Sequence, residues 1–87
     1  MAILDDIRAS LIRGDAASTT AGVQQAIQDG IDPLQILNEG LISAMTEVGA
    51  KFEAGEYYIP EMLIAARAMQ AALVPLKPLL IESGAKP

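Results

Sequence analysis

Phe52, Tyr57 and Tyr58 are the only aromatic residues of the chain, and they fall within seven consecutive positions. Aromatic rings are large, rigid and flat, so three gathered at one point suit contact with another flat apolar body. Four carboxylates surround them: Glu47, Glu53, Glu56 and Glu61. Paired carboxylates can move protons or hold metals. A di-metal site in a helical bundle, however, typically uses a Glu-x-x-His pair on facing helices, and this sequence has no histidine. The acids therefore read as a solvated rim. Without histidine the usual general base near neutral pH is also missing. Without cysteine there is no disulfide, thiolate nucleophile or zinc–thiolate site. The Ser18-Thr19-Thr20 cluster reads as weak helix surface, and nothing else resembles a nucleophile.

Composition states which elements must position these residues. Eighty-seven residues with 52% hydrophobic but 3% aromatic content make one small domain with an aliphatic core. Alanine, leucine and methionine are strong helix formers. The net charge of −5, from six basic against eleven acidic residues, excludes binding to nucleic acid by charge and electrostatic attachment to a membrane. Asp5 and Asp6 interrupt the N-terminus, which argues against a signal peptide. No run reaches the roughly 18 uninterrupted apolar residues of a membrane span. A soluble cytoplasmic protein is the expectation.

Four helices are predicted. Ile3, Leu4, Ile7 and Leu11 recur at helical spacing on the first, residues 2–13. Gly14 stops it and Asp15 is placed to cap the second, residues 15–28, with Ala16, Thr19, Val23, Ala26 and Ile27 facing inward. Asp29-Gly30 ends that helix, and Asp32-Pro33 starts the third. The third, residues 33–54, has the inner stripe Leu34, Leu37, Leu41, Met45, Val48 and Phe52. Gly40 and Gly49 lie inside it, which close approach of a neighbouring helix or ligand would explain. After Gly55, Pro60 opens the fourth helix, with Ile59, Met62, Leu63, Ala66, Met69 and Leu73 on its face. Pro75 is expected to kink or end it, with the pattern resuming through Leu79, Leu80 and Ile81. Residues 83–87 read as linker. Short connections imply an all-α, antiparallel four-helix bundle.

On this arrangement Phe52, Ile59 and Met62 converge at one end of the bundle, with the tyrosines beside them. The plain reading is a hydrophobic plug closing the hairpin, Ile59 and Leu63 acting as a staple. The functional reading is an apolar lid for a large planar ligand or a partner domain.

The sequence resembles the N-terminal helical domain of cobalamin-dependent methyl-carrier (corrinoid) proteins of methyltransferase systems, and the matching module of methionine synthase. The resemblance covers nearly the whole chain. It includes residues 11–15 (Leu-Ile-Arg-Gly-Asp), 30–34 (Gly-Ile-Asp-Pro-Leu) and 38–41 (Asn-Glu-Gly-Leu). Its most specific part is Met45-x-x-Val48-Gly49-x-x-Phe52-x-x-Gly55-x-x-Tyr58-Ile59-Pro60-Glu61-Met62, followed by Ala65-Ala66-x-Ala68-Met69. Residues 76–79 and 82–84 fit the junction into a following domain.

The resemblance implies a helical cover, residues 1–82, over the upper face of the corrin ring of cobalamin, where the methyl group sits on cobalt. Phe52, Tyr58, Ile59 and Met62 match the covering positions. Leucine and another aliphatic are common where Ile59 and Met62 stand. Tyr58 replaces a common phenylalanine, adding a hydroxyl that needs a partner. The implied partners are a Rossmann-like cobalamin domain, whose Asp-x-His-x-x-Gly motif ligates cobalt, and methyltransferase subunits for a donor and for an acceptor such as tetrahydrofolate or a thiol. That motif is not in this sequence, so the chain is expected to be a piece of a longer protein and not catalytic alone. The competing expectation is a helical interaction or dimerisation module with no cofactor, since an exposed apolar corner drives self-association. An acyl-carrier reading lacks its Asp-Ser-Leu tripeptide.

Overall fold

The computed structural model describes residues 1–82. The linker reading of residues 83–87 lies outside the described residues. Four helices form: α1 at Ala2–Ile12, α2 at Ala16–Gln28, α3 through residues 33–53 and α4 at Ile59–Glu82. There is no strand among the described residues.

The boundaries lie where the local chemistry puts them. The Asp15 carboxylate accepts the Ser18 N–H at 3.0 Å and the Ser18 hydroxyl at 2.7 Å, so two donors at the start of α2 are satisfied. These bonds, with the charge of Arg13 adding less, hold the Asp15 carboxyl below its ordinary range. Asp32 accepts the Leu34 N–H at 2.9 Å, with Pro33 as the first residue of α3. Gly30 ends α2 at φ 80°. The next N–H, of Ile31, then reaches back to the Ala26 carbonyl at 3.1 Å.

The core forms around Ile7. It is fully buried with Leu11, Val23, Ala26, Ile36, Leu41, Ala44, Val48 and Leu76. A Cβ added at Gly22 of α2 would lie 2.8 Å from Ile7 Cγ1, and one at Gly40 of α3 would lie 3.3 Å from Ile7 Cγ2. Both glycines let a neighbouring helix close on that one side chain.

α3 departs from the expected stripe. It begins as a turn of α-helix at Pro33–Gln35, widens to a π-helix over Ile36–Ile42, and returns to α-helix at Ser43–Glu53. A π turn closes between residues five apart. Ile36 and Leu41 therefore share the buried face, although α-helical spacing would turn Ile36 away. Leu34 is instead exposed and Leu37 only partly buried.

α4 also corrects the expectation. Pro75 does not end it: the helix runs on through Pro75 and Pro78. Ala72 and Leu76, both fully buried, clamp the helix on either side of Pro75, and that packing outweighs the lost backbone bond. The fully buried face is Ala65, Ala68, Ala72 and Leu76; of the expected stripe, Met62, Met69 and Leu73 pack against the core at its edge, while Ile59 and Leu63 are exposed. Small residues let α4 lie close against α2, its chief neighbour. α4 is apolar around most of its circumference, with a mean hydropathy of 1.3 over its most apolar window, so composition alone did not select a face. By length and composition it could cross a membrane. A count of uninterrupted apolar residues misses this, because Glu61, Arg67 and Lys77 break the run.

Candidate functional site

The junction of α3 and α4 is tied by several hydrogen bonds. Beyond Ala54, Gly55 takes φ 78°. The Glu56 and Tyr57 N–H groups then both donate to the Lys51 carbonyl, at 2.9 and 3.1 Å. This satisfies a carbonyl left open at the end of α3. The Tyr57 hydroxyl donates to the Ile12 carbonyl at 2.8 Å, and the Lys51 ammonium lies 5.5 Å from the Tyr57 ring centroid. The Tyr58 N–H donates to Glu61 Oε1 at 2.9 Å. A glutamate reaching back three residues in this way is half of a capping box, so Glu61 fixes the start of α4. It is not merely part of an acidic rim. Glu56 stands 3.9 Å from Lys51, a solvent-exposed pair of little energetic weight. Glu47 and Glu53 are exposed.

On this scaffold the apolar side chains point outward. Phe52 is 42% exposed, Tyr58 65%, Ile59 62% and Leu63 55%. Met62 is partly buried against the core. The plug reading therefore fails, because a plug buries its own side chains. Ile59 and Leu63 are both too exposed to act as a staple within the domain. Phe52 sits on the last turn of α3, and Tyr58, Ile59 and Met62 stand around the start of α4. Among the described residues the Tyr58 hydroxyl has no protein partner, and its exposure leaves it to solvent. Tyr57, grouped with Tyr58 by sequence, faces the bundle instead and is structural.

A recess of about 50 Å³ lies elsewhere, between Ile12, Arg13, Gly14, Tyr57, Glu61 and Ile64. It has room for one or two waters and is lined by none of Phe52, Tyr58, Ile59 or Met62. Among the described residues no three His, Cys, Asp or Glu side chains gather to hold a metal ion. The exposed corner has the chemistry to lie on a flat apolar ring. Sequence reasoning missed Leu63 as a member of this surface. Its signal was present, since it follows Ile59 by one helical turn.

Comparison with known proteins identifies the family. The B12 binding domain family matches residues 3–77. Monomethylamine corrinoid protein 1 of Methanosarcina acetivorans is 36% identical over 76 residues, which is 87% of this chain and 35% of that protein. Dimethylamine corrinoid protein 1 of the same organism is 34% identical over 83 residues, 95% of this chain and 38% of that protein. The solved structure of the Methanosarcina barkeri monomethylamine corrinoid protein superposes with a TM-score of 0.87 at 33% identity, covering 91% of this chain and 37% of that one. The chain thus spans little more than a third of these relatives. With the family model and the superposition each covering most of its length, the chain belongs to the B12 binding domain family, as the helical domain of corrinoid proteins.

Proposed function

We propose that this domain covers the upper, methyl-bearing face of the corrin in a methyl-carrier protein, with Phe52, Tyr58, Ile59 and Met62 against the ring. The observation that carries this reading is the exposure of Phe52, Tyr58 and Ile59 on a junction held by hydrogen bonds to Lys51, Ile12 and Glu61. Large apolar side chains left exposed side by side form a patch of the kind that marks a ligand or partner surface. The corrin supplies the chemistry when bound, carrying a methyl group on cobalt from donor to acceptor.

The part of these residues is to exclude water and oxidants from that face. They orient and shield, and none is a catalyst. The cover must also clear the face for donor and acceptor. Tyr57 is bonded to Ile12, Glu61 to Tyr58, and the turn to Lys51. Local opening of the junction would break all of these, so clearance is a displacement of the whole helical unit. The remaining partners in this reading are a Rossmann-like domain that ligates cobalt from below and methyltransferase subunits in the cytoplasm. The names of the relatives point to methylamines as the donor class; the acceptor in this reading is a thiol or tetrahydrofolate.

The test is the visible spectrum of the protein expressed from its complete coding region and mixed with hydroxocobalamin. Corrin bands that stay with the protein through gel filtration, and shift on reduction and methylation, are the expected result. A colourless protein that dimerises through this corner would overturn the reading in favour of an interaction module.

A further inference from the structure

Among the described residues three glycines lie inside helices: Gly22, Gly40 and Gly49. Glycine weakens a helix interior relative to alanine, so each needs a reason. For Gly22 and Gly40 the reason is internal, because a Cβ at either would press on Ile7. For Gly49 the fold supplies none. Its φ is negative, and a Cβ built there would meet no atom within 4 Å. Gly49 is partly buried, and its Cβ position faces open space.

The position of that space is informative. Met45, Gly49 and Phe52 recur at intervals of four and three, so they share one face of α3. Gly49 is thus one turn before the exposed Phe52 ring, on the surface proposed to meet the corrin. A side chain there would stand proud of that surface and hold a flat ring away from it. We infer that Gly49 is a close-approach position, where the missing side chain lets the corrin lie against the α3 backbone beside Phe52. This inference rests on the covering role proposed above. A corrin carries methyl and amide substituents around its rim, and a bare stretch of helix accommodates them where even a methyl group would crowd them.

The experiment uses the full-length protein loaded with methylcobalamin, as wild type and as Gly49→Ala, Gly49→Leu and Phe52→Ala. Two quantities are read: the thermal melt by helical circular dichroism, and the rate at which light removes the methyl–cobalt absorption band. A close cover keeps the fragments of the broken bond together so that they recombine, and a lifted cover lets them escape. Gly49→Ala is expected to melt no lower than wild type, and Gly49→Leu to lose its band severalfold faster, with Gly49→Ala between. A Gly49→Ala protein that melts lower, or a Gly49→Leu protein that fails to fold, would show that the glycine serves the bundle itself and would overturn the inference. Wild-type photolysis in Gly49→Leu beside faster photolysis in Phe52→Ala would overturn it while leaving the covering role intact. Unchanged photolysis in Phe52→Ala as well would remove the covering role, and the inference with it.

Discussion

The Tyr57 hydroxyl donates to the Ile12 carbonyl at 2.8 Å, a bond that ties the turn before α4 to the end of α1 across 45 residues of sequence. Its neighbour Tyr58 makes the opposite use of the same side chain, with its ring 65% exposed. Two adjacent tyrosines thus divide the work of the corner, one fixing it and one presenting it.

That division can be measured. Tyr57→Phe removes one partly buried hydrogen bond and leaves the Ile12 carbonyl without this partner, a loss of about 0.5–1.5 kcal/mol. For a domain of this size that is a drop of several degrees in melting temperature. Tyr58→Phe removes an exposed hydroxyl and is expected to leave stability within about 0.5 kcal/mol of wild type. Denaturant melts of the two variants side by side decide the matter, and equal losses would refute the assignment of roles.

Ile7 is the point where α1, α2 and α3 meet, and substitutions around it should be costly. Ile7→Ala leaves a cavity and is expected to cost about 2–5 kcal/mol. Gly22→Ala places a methyl 2.8 Å from Ile7 Cγ1 and is expected to cost about 1–3 kcal/mol through overpacking. Gly49→Ala, with open space around it, is expected to gain up to about 1 kcal/mol. The contrast between two Gly→Ala changes in equilibrium unfolding tests whether the fold was read correctly.

The cap of α2 gives a pH dependence. The Asp15 carboxyl is held below its ordinary range, first by the Ser18 N–H and hydroxyl. A carboxyl depressed in the folded state contributes stability that is present above its unfolded pKa and is lost as the pH falls through the lower folded value. Asp15→Asn, which cannot ionise, should therefore melt below wild type at neutral pH, with the gap closing as acid protonates Asp15 in the wild type. A gap that stays constant down to acidic pH would show that the charge contributes nothing.

Much of the fold was legible because its signals are local. Asp15, Gly30, Asp32 and Pro33 act on their own backbone, so helix ends could be placed to within a residue or two. The face of α1 was equally clear, since Leu4, Ile7 and Leu11 recur at intervals of three and four with Asp5, Asp6, Arg8 and Arg13 between and beyond them. The stripe on α3 was misplaced before Leu41 because a π-helix changes the angular step, and the residues Ile36–Ile42 give no local sign of it. The face of α4 was displaced because alanine is a weak marker of burial, and the larger apolar residues beside it, Met62, Met69 and Leu73, are only partly buried. The position of Pro75 in an unbroken helix depends on packing at Ala72 and Leu76, which is tertiary information. The corner itself was found from its aromatic residues. Whether it turned inward or outward was not legible, because plug and lid share one composition.

The central claim is that Phe52 and Ile59 shield a corrin and are not required by the bundle. The most direct measurement is the rate at which air oxidises the reduced cofactor on the full-length protein, followed by visible absorption, in wild type and in the Phe52→Ala/Ile59→Ala double variant. The account predicts unchanged helical content and severalfold faster oxidation in the variant. Equal oxidation rates with the bundle intact would contradict it.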